Sequence, residues 1–457
     1  MPPLPPDVEI LHAAPPPFWT RRVVFFCNLR SIFYGNVAET EQLMNEIRGS
    51  HSYGGRVISI LDLLFHGRPN LILVETSPNT GLTNYLADTL GLSLPLTAIL
   101  PSEDYATLAA RLARAPSTRD DKLLGQLRDH PAEWVDGFVT DRRLEQIAGI
   151  LGKRTVSTPE GSKNGNNKYL LYLHLVKQRL PAFDTHIASD RGELAAGLKK
   201  LRAQGYRSAV VKAQIGASGH GMVRLPAEEG AAAEVPEFYY FEGPCMVQGW
   251  IENGVLETKK LASPSVQLFL SDEKIFLFDM TEQILSEESV HQGNASPPPI
   301  LEQFPEVERE LWRQASIVAT WLHGQGYRGT ASADFLIIER GGGLETLVCE
   351  INARVTGATY PALLARHFKP EGNWLMRNIG FRKAIDGGEL LALLDGAGVL
   401  FRPGAPAGMI PFNFNTDVDG RVLKGQFVCI AENLEICNAL LARAWARLPV
   451  EWNYDRD

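Results

Sequence analysis

Three polar side chains at alternate positions, Glu350, Asn352 and Arg354, close an apolar run in the segment Cys349-Glu-Ile-Asn-Ala-Arg-Val-Thr-Gly357. Side chains alternate faces along a strand, so a strand ending here points all three the same way. Carboxylate and amide oxygens suit a hard cation such as Mg²⁺, and a planar guanidinium suits the phosphate oxygens that such a cation accompanies. Upstream, residues 331–338 read as a second strand with a lone acid, Asp334. The turn Gly341-Gly-Gly343 between the two runs predicts a hairpin that brings Asp334 beside Glu350. A solvated polar strand end is the plain structural alternative.

Two further groupings accompany this one. Lys212 ends the run Ser208-Ala-Val-Val-Lys212 and feeds the small-residue loop Gly216-Ala-Ser-Gly-His-Gly221. Glycines there let backbone N–H groups approach an anion closely, and the lysine adds a point charge. No Gly-Lys-Ser/Thr follows, so the loop is not of the Walker type, and such turns also close ordinary hairpins. Cys245-Met-Val-Gln-Gly-Trp-Ile-Glu252 is an apolar strand running into a polar turn. Its backbone can hydrogen-bond a purine edge while Trp250 and Ile251 cover the ring.

The elements that must position these groups alternate in type along the first part of the chain. Strands are expected at 22–29, 56–61, 70–75 and 137–141. Helices are expected at 81–92, across 105–129, and up to 151. That alternation describes an α/β layered domain. It holds no G-x-G-x-x-G loop, so a dinucleotide site is not supported. Residues 158–165 are polar and glycine-containing, as a linker should be. Helices at 167–179 and 191–204 follow, then strands at 208–212, 222–225, 245–251, 265–270 and 274–278. One long amphipathic helix is expected over 301–325. Beyond 375 the strands 401–404, 410–414 and 427–430 precede a terminal helix, 433–447. The resulting organisation is a proline-rich, extended or mobile arm (1–18), an α/β domain (19–155), a larger α+β region (156–384) and a small C-terminal α+β domain (385–457).

At 457 residues the chain exceeds one ordinary core. A hydrophobic content of 45% with 21% charged residues describes a globular chain, and no apolar run reaches the roughly 18–20 residues of a membrane span. The start lacks a basic stretch followed by an apolar one, so no secretory signal is expected. A net charge of −8 without a basic block argues against nucleic acid as partner. The five cysteines, at 27, 245, 349, 429 and 437, form no C-x-x-C pair, which fits buried thiols in a reducing cytoplasm.

Taken together, the glycine loop, the apolar hinge strand and the acid–amide–arginine strand end resemble the ATP-grasp superfamily, in which two α+β lobes grip ATP between their sheets. The resemblance covers about 153–380, and the preceding α/β segment looks like the domain that usually comes before it. It implies ATP and Mg²⁺, two ions, as cofactors. It places Lys168 and Lys212 on the phosphates, with Gly216, Ser218, Gly219 and Gly221 in the loop that covers them. Gln248, Trp250 and Ile251 match the adenine hinge, and Glu257 the ribose contact. Asp334, Glu350 and Asn352 match the metal ligands. Arg354 matches the arginine that steadies the transferred phosphate, with Lys212 and His220 beside it in the catalytic set. Two positions depart from the pattern. Gln248 stands where glutamate is usual, and Ser332 stands where some relatives carry arginine, which speaks against a D-alanine–D-alanine ligase.

The runs Val266-Gln-Leu-Phe-Leu, Met280-Thr-Glu-Gln-Ile-Leu and His291-Gln-Gly-Asn, with the extra domain, are similar to the pheganomycin-type peptide ligases. That similarity implies a peptide ligase of natural-product biosynthesis. An amino-acid-like carboxylate, activated as acyl phosphate with release of ADP, is joined to the N-terminal amine of a peptide. A homodimer is compatible with it. A dipeptide synthase and a non-catalytic ATP-binding regulator are the alternatives. At strand ends, where open α/β sheets bind ligands, Arg30, Glu75 and Asp141 are candidates for holding the acid. His291 and Asn294, in a polar loop, are candidates for the acceptor site.

Overall fold

The structure, a computed structural model, describes residues 7–449 apart from 13, 47–52, 115–120, 218 and 286–290. The chain begins with β1 (Asp7–Ile10), which docks in parallel on a strand of the large sheet. Part of the proline-rich arm is thus a sheet edge, and Phe18 stacks on Phe269 with ring centroids 4.8 Å apart.

The first layer is a five-stranded parallel sheet of β2 (Val23–Phe26), β3 (Leu71–Val74), β4 (Leu96–Ile99), β5 (Trp134–Gly137) and β6 (Arg154–Thr155). Its order is β4-β3-β2-β5-β6. Strands such as VVFF and LILV are buried at every position because both faces carry helices or other chain segments.

A four-stranded antiparallel sheet forms the small lobe: β7 (Thr185–Ala188), β8 (Ser208–Lys212), β9 (Met222–Pro226) and β10 (Cys245–Gly249), in the order β7-β10-β8-β9. The helix Arg191–Ala203 covers one face through Leu194, Leu198 and Leu201.

The third sheet comprises β11 (Thr258–Ala262), β12 (Pro264–Leu270), β13 (Lys274–Leu285), β14 (His291–Ser296), β15 (Gly329–Arg340), β16 (Gly343–Asn352), β17 (Asn373–Ile385), β18 (Gly408–Thr416) and β19 (Val422–Ala431). The segment beyond 385 continues this sheet, with β19 on β17 and β18 on β19. One apolar core links Phe25 and Phe33 of the first layer to Trp374, Phe412 and Phe427. Each such buried side chain stabilises the fold by about 1.5–3 kcal/mol relative to exposure. Among the described residues no helix is long and apolar enough to cross a membrane, and the cysteines are free.

Several local expectations are corrected. Residues 56–61 are not a strand: a 3₁₀ turn, Tyr53–Val57, and a short helix, Leu61–Leu64, occupy the region. A short apolar run buried all round has no periodicity to separate the two. The expected linker 158–165 contains a helix, Pro159–Gly165, where Thr158 Oγ1 accepts the Gly161 N–H at 2.9 Å and Pro159 takes the first turn. The long helix 301–325 is two, Ile300–Gln303 and Glu306–Gly324, because Pro305 has no N–H and moves Phe304 out of helical geometry.

The helical stretch 105–129 is likewise two helices, Tyr105–Arg114 and Lys122–Asp129, and 115–120 lie outside the described residues. The strand expected at 137–141 is β5, ending at Gly137. Residues 401–404 form no strand. His291 and Asn294 lie on β14 rather than in a loop.

Candidate active site

The hairpin β15–β16 sets Asp334 directly opposite Glu350 and Ser332 opposite Asn352. Register slips between Asp334 and Phe335, leaving Cys349 without a cross-strand partner; a bulge of this kind re-aims side chains next to a site. Asn352 Nδ2 donates to Asp334 Oδ2 at 2.9 Å and reaches Glu350 Oε1 at 3.4 Å. Both carboxylates therefore converge on one point. Ser265 and Ser332 donate to Asp334 Oδ1 at 2.7 and 3.3 Å. Enclosure between the lobes and the Glu350 charge push the Asp334 carboxyl up to about 6. Enclosure opposes ionisation of Glu350 as well, but the Lys168 and Arg354 cations outweigh it and hold that carboxyl below its usual range.

Lys168 begins the helix Lys168–Gln178, whose Asn167 cap accepts the Leu170 N–H. Its Nζ lies 3.0 Å from Glu350 Oε2 and donates to the Gly216 carbonyl at 3.1 Å, joining the acid pair to the glycine loop. Lys212 ends β8 over the Phe183 ring, at 5.6 Å. Burial lowers its pKa, and Cys349 and Glu350 oppose that shift. Arg354 leaves the strand and donates to Asn166 Oδ1 at 2.6 Å. Asn166 also accepts the Ala353 N–H and donates to the Tyr34 hydroxyl and the Ser162 carbonyl.

The loop closes over itself: Ala213 N–H bonds the Gly221 carbonyl at 2.8 Å, and Gly219 and Gly221 take φ of +85° and +70°. A Cβ on Gly216 would fall 2.5 Å from the His220 carbonyl oxygen. The His220 ring meets Phe33 edge-on at 6.1 Å, at the contact with the first layer. Ser218 lies outside the described residues.

At the hinge, Gln248 donates to Thr185 Oγ1 at 3.0 Å, while its buried Oε1 has no partner among the described residues. The N–H groups of Gly249 and Trp250 bond Asp184 and Ser208. Trp250 is flanked by Arg224 at 5.2 Å and Lys260 at 4.6 Å. Ile251 is buried in the small-lobe core. Glu257 is exposed in a tight turn with φ of +52°.

The remaining candidates scatter. Arg30 pairs with Glu103 at 4.0 Å. Asp141 Oδ1 is committed to capping, accepting the Leu144 N–H at 2.7 Å and the Tyr105 hydroxyl at 2.9 Å. Glu75 is half-buried; desolvation pushes its carboxyl up, and it accepts the Gly54 N–H. His291 bonds Asn294 Oδ1 at 2.7 Å, and its ring lies against Gly357, where a Cβ would approach to 3.2 Å. That pair borders the segment following Arg354.

Asn166 and Ser265 escaped sequence reasoning. The run Asn164-Gly-Asn-Asn167 was the available signal for the first, and its polarity reads equally as a linker.

Three solved structures illustrate a match that runs nearly end to end. N5-carboxyaminoimidazole ribonucleotide synthetase, as its ADP complex, has a TM-score of 0.57 and 13% identity, with 96% of this chain and 100% of that one covered. Biotin carboxylase from Campylobacter jejuni, as a β,γ-ATP complex, has a TM-score of 0.58 and 14% identity, covering 94% and 92%. A third match is the biotin carboxylase domain of Hydrogenobacter thermophilus 2-oxoglutarate carboxylase, crystallised with MgADP, ADP and bicarbonate. It has a TM-score of 0.57 and 12% identity, covering 94% and 91%. The architecture is therefore the ATP-grasp fold.

Among curated proteins, the [butirosin acyl-carrier protein]–L-glutamate ligase of Niallia circulans is 25% identical over 178 residues, 38% of this chain. The match spans 39% of that relative's length. No family model matches.

Proposed function

We propose that this protein is an ATP-dependent carboxylate–amine ligase. It activates an amino-acid-like acid as an acyl phosphate with release of ADP and joins it to the N-terminal amine of a peptide in natural-product biosynthesis. The observation that carries the reading is the double contact of Lys168, on Glu350 and on the Gly216 carbonyl. A lysine ammonium between the Asp334/Glu350 acid pair and a glycine loop supports a phosphate-neutralising role beside a metal site. The fold, and the similarity over part of the chain to an acyl-carrier–glutamate ligase, support the same class.

The residues fit the reactants. Asp334, Glu350 and Asn352 are the oxygen-donor set that would hold Mg²⁺. Their convergence on one amide nitrogen marks a point where positive charge is favoured, and a cation there would take Asn352 through Oδ1 after a turn of its amide. A Mg²⁺ ion held there would supply charge neutralisation to the nucleotide phosphates. The orphaned Gln248 Oε1 suits an exocyclic amine donor such as that of adenine.

A carboxylate acylates amines poorly, and phosphorylation provides its leaving group. Lys168 and Lys212 neutralise phosphate oxygens, and Arg354, fixed by Asn166, holds the γ-phosphate or the tetrahedral oxyanion. The loop 216–221 excludes water from the acyl phosphate.

The test is ADP release with Mg²⁺ across a panel of amino acids and derivatives, with hydroxylamine to trap acyl phosphate. Each active acid is then paired with short and long peptides. Hydroxamate with ADP, and peptide products by mass, support the assignment. Products no longer than dipeptides would make it a dipeptide synthase. ATP binding without ADP from any acid counts against a ligase.

A further inference from the structure

Glu39, in the helix Val37–Glu46, exposes none of its surface, and neither carboxylate oxygen has a hydrogen-bond partner among the described residues. Glu242, in the turn before β10, likewise has both oxygens buried and unpartnered. A buried polar atom without a partner costs about 1–3 kcal/mol, and an ionised one more. A glutamate in a first helical turn gains from the helix dipole whether exposed or not, so local structure does not account for the burial.

The position of Glu39 does. A Cβ on Gly221 would fall 2.5 Å from Glu39 Oε1, so the carboxylate lies directly under the glycine loop. Burial and then Glu242 push the Glu39 carboxyl up to about 7, while Lys168 pulls it down. Burial also raises Glu242, with Lys163 opposing. The charged and titratable groups around Glu39 are thus Glu242 and Tyr239 ahead of β10 and Lys168 from its helix.

The proposed ligation needs one function that the site residues above do not provide. An incoming peptide amine is an ammonium ion near neutral pH and must lose a proton before it can attack. Asp334 and Glu350 are committed to a cation, and Lys168, Lys212 and Arg354 are cations themselves.

We infer that Glu39, together with Glu242, holds the ammonium group of the amine acceptor beneath the glycine loop, and that Glu39 takes its proton. One N–H bond breaks and its proton passes to the Glu39 carboxylate. The freed lone pair forms the C–N bond to the acyl carbon. The C–O bond to phosphate then breaks with its electron pair on phosphate, which departs with the second amine proton as hydrogenphosphate. The inference rests on the ligase reading, and its test separates the two.

Glu39→Gln and Glu242→Gln are compared with wild type using hydroxylamine, which is unprotonated at neutral pH, and using a peptide amine. For Glu39→Gln the ratio of peptide ligation to hydroxamate formation should fall about 100-fold, the scale of general-base catalysis. Raising the pH toward the amine's own pKa should restore it. Glu242→Gln should raise the peptide KM more than it lowers kcat. Parallel loss of both products in Glu39→Gln, or an unchanged ratio, overturns the inference and leaves the ligase reading standing. Absence of hydroxamate from wild type with every acid overturns both.

Discussion

Lys168 Nζ and Glu350 Oε2 lie 3.0 Å apart, and the same nitrogen holds the Gly216 carbonyl. A single side chain therefore couples the acid pair of the hairpin to the glycine loop. Lys168→Ala should lower the rate of ADP formation about 100- to 1,000-fold, as loss of one preorganised electrostatic contact does. Circular dichroism and steady-state kinetics together check it; a folded variant with near-normal turnover would remove Lys168 from the phosphate set.

Asn166 fixes Arg354 from outside the β15–β16 hairpin. In Asn166→Ala the guanidinium loses its anchor while its charge remains. A misplacement of this order can cost about 100-fold in rate, so kcat should fall about 10- to 100-fold with the ATP KM little changed. Equal loss in both parameters would make Asn166 a binding residue instead.

These two residues show what was legible in the sequence. Asp334, Glu350, Asn352 and the strand ending at Lys212 declared themselves through alternation, glycine turns and residue chemistry, all local signals. Asn166 and Arg354 stand 188 positions apart, and no local pattern records such a contact. The same limit hid Glu39, whose neighbours Glu242 and Gly221 are distant in the chain. It also hid the packing of Ile251 into the small-lobe core. In the parallel sheet β2 and β3 were readable because they are apolar throughout, whereas β4 and β6, short and partly exposed, gave no such signal. The short run 56–61 was misread because complete burial erases periodicity.

Gln248 offers a test of the nucleotide hinge. Its Nε2 is held by Thr185 while Oε1 is buried and unpartnered. Gln248→Met removes both polar atoms at similar volume. Loss of about 1–1.5 kcal/mol per hydrogen bond should raise the ATP Kd about tenfold, measured calorimetrically. An unchanged Kd would place adenine elsewhere.

On β13, Asp279 is buried and receives Arg366 at 2.8 Å, Ser296 at 2.8 Å and Trp374 Nε1 at 2.9 Å. Removing one partner of a buried pair leaves the other uncompensated, at a cost of about 3–5 kcal/mol. Asp279→Ala should show that loss in urea unfolding. A change below about 1 kcal/mol would mean that the Arg366 charge finds water instead.

Asp136, at the end of the parallel sheet, provides a pH test. Burial pushes its carboxyl up from 3.8 to about 7. Between those values the folded chain binds a proton that the unfolded chain has lost, so stability is fullest below the unfolded value and declines as pH rises through about 7. Asp136→Asn should flatten the decline of Tm between pH 5 and 8 and be the more stable form at pH 8. Parallel Tm profiles for the two proteins would exclude this ionisation as the cause.

The acyl-phosphate route is tested most directly by the phosphorus-containing products. Wild type and Glu350→Gln are incubated with MgATP, hydroxylamine and the acid panel, and the products are followed by phosphorus NMR. Wild type should give ADP and inorganic phosphate with an active acid, and Glu350→Gln should give neither at a comparable rate. AMP with pyrophosphate, or undiminished ADP from Glu350→Gln, would contradict the mechanism built on the β15–β16 hairpin.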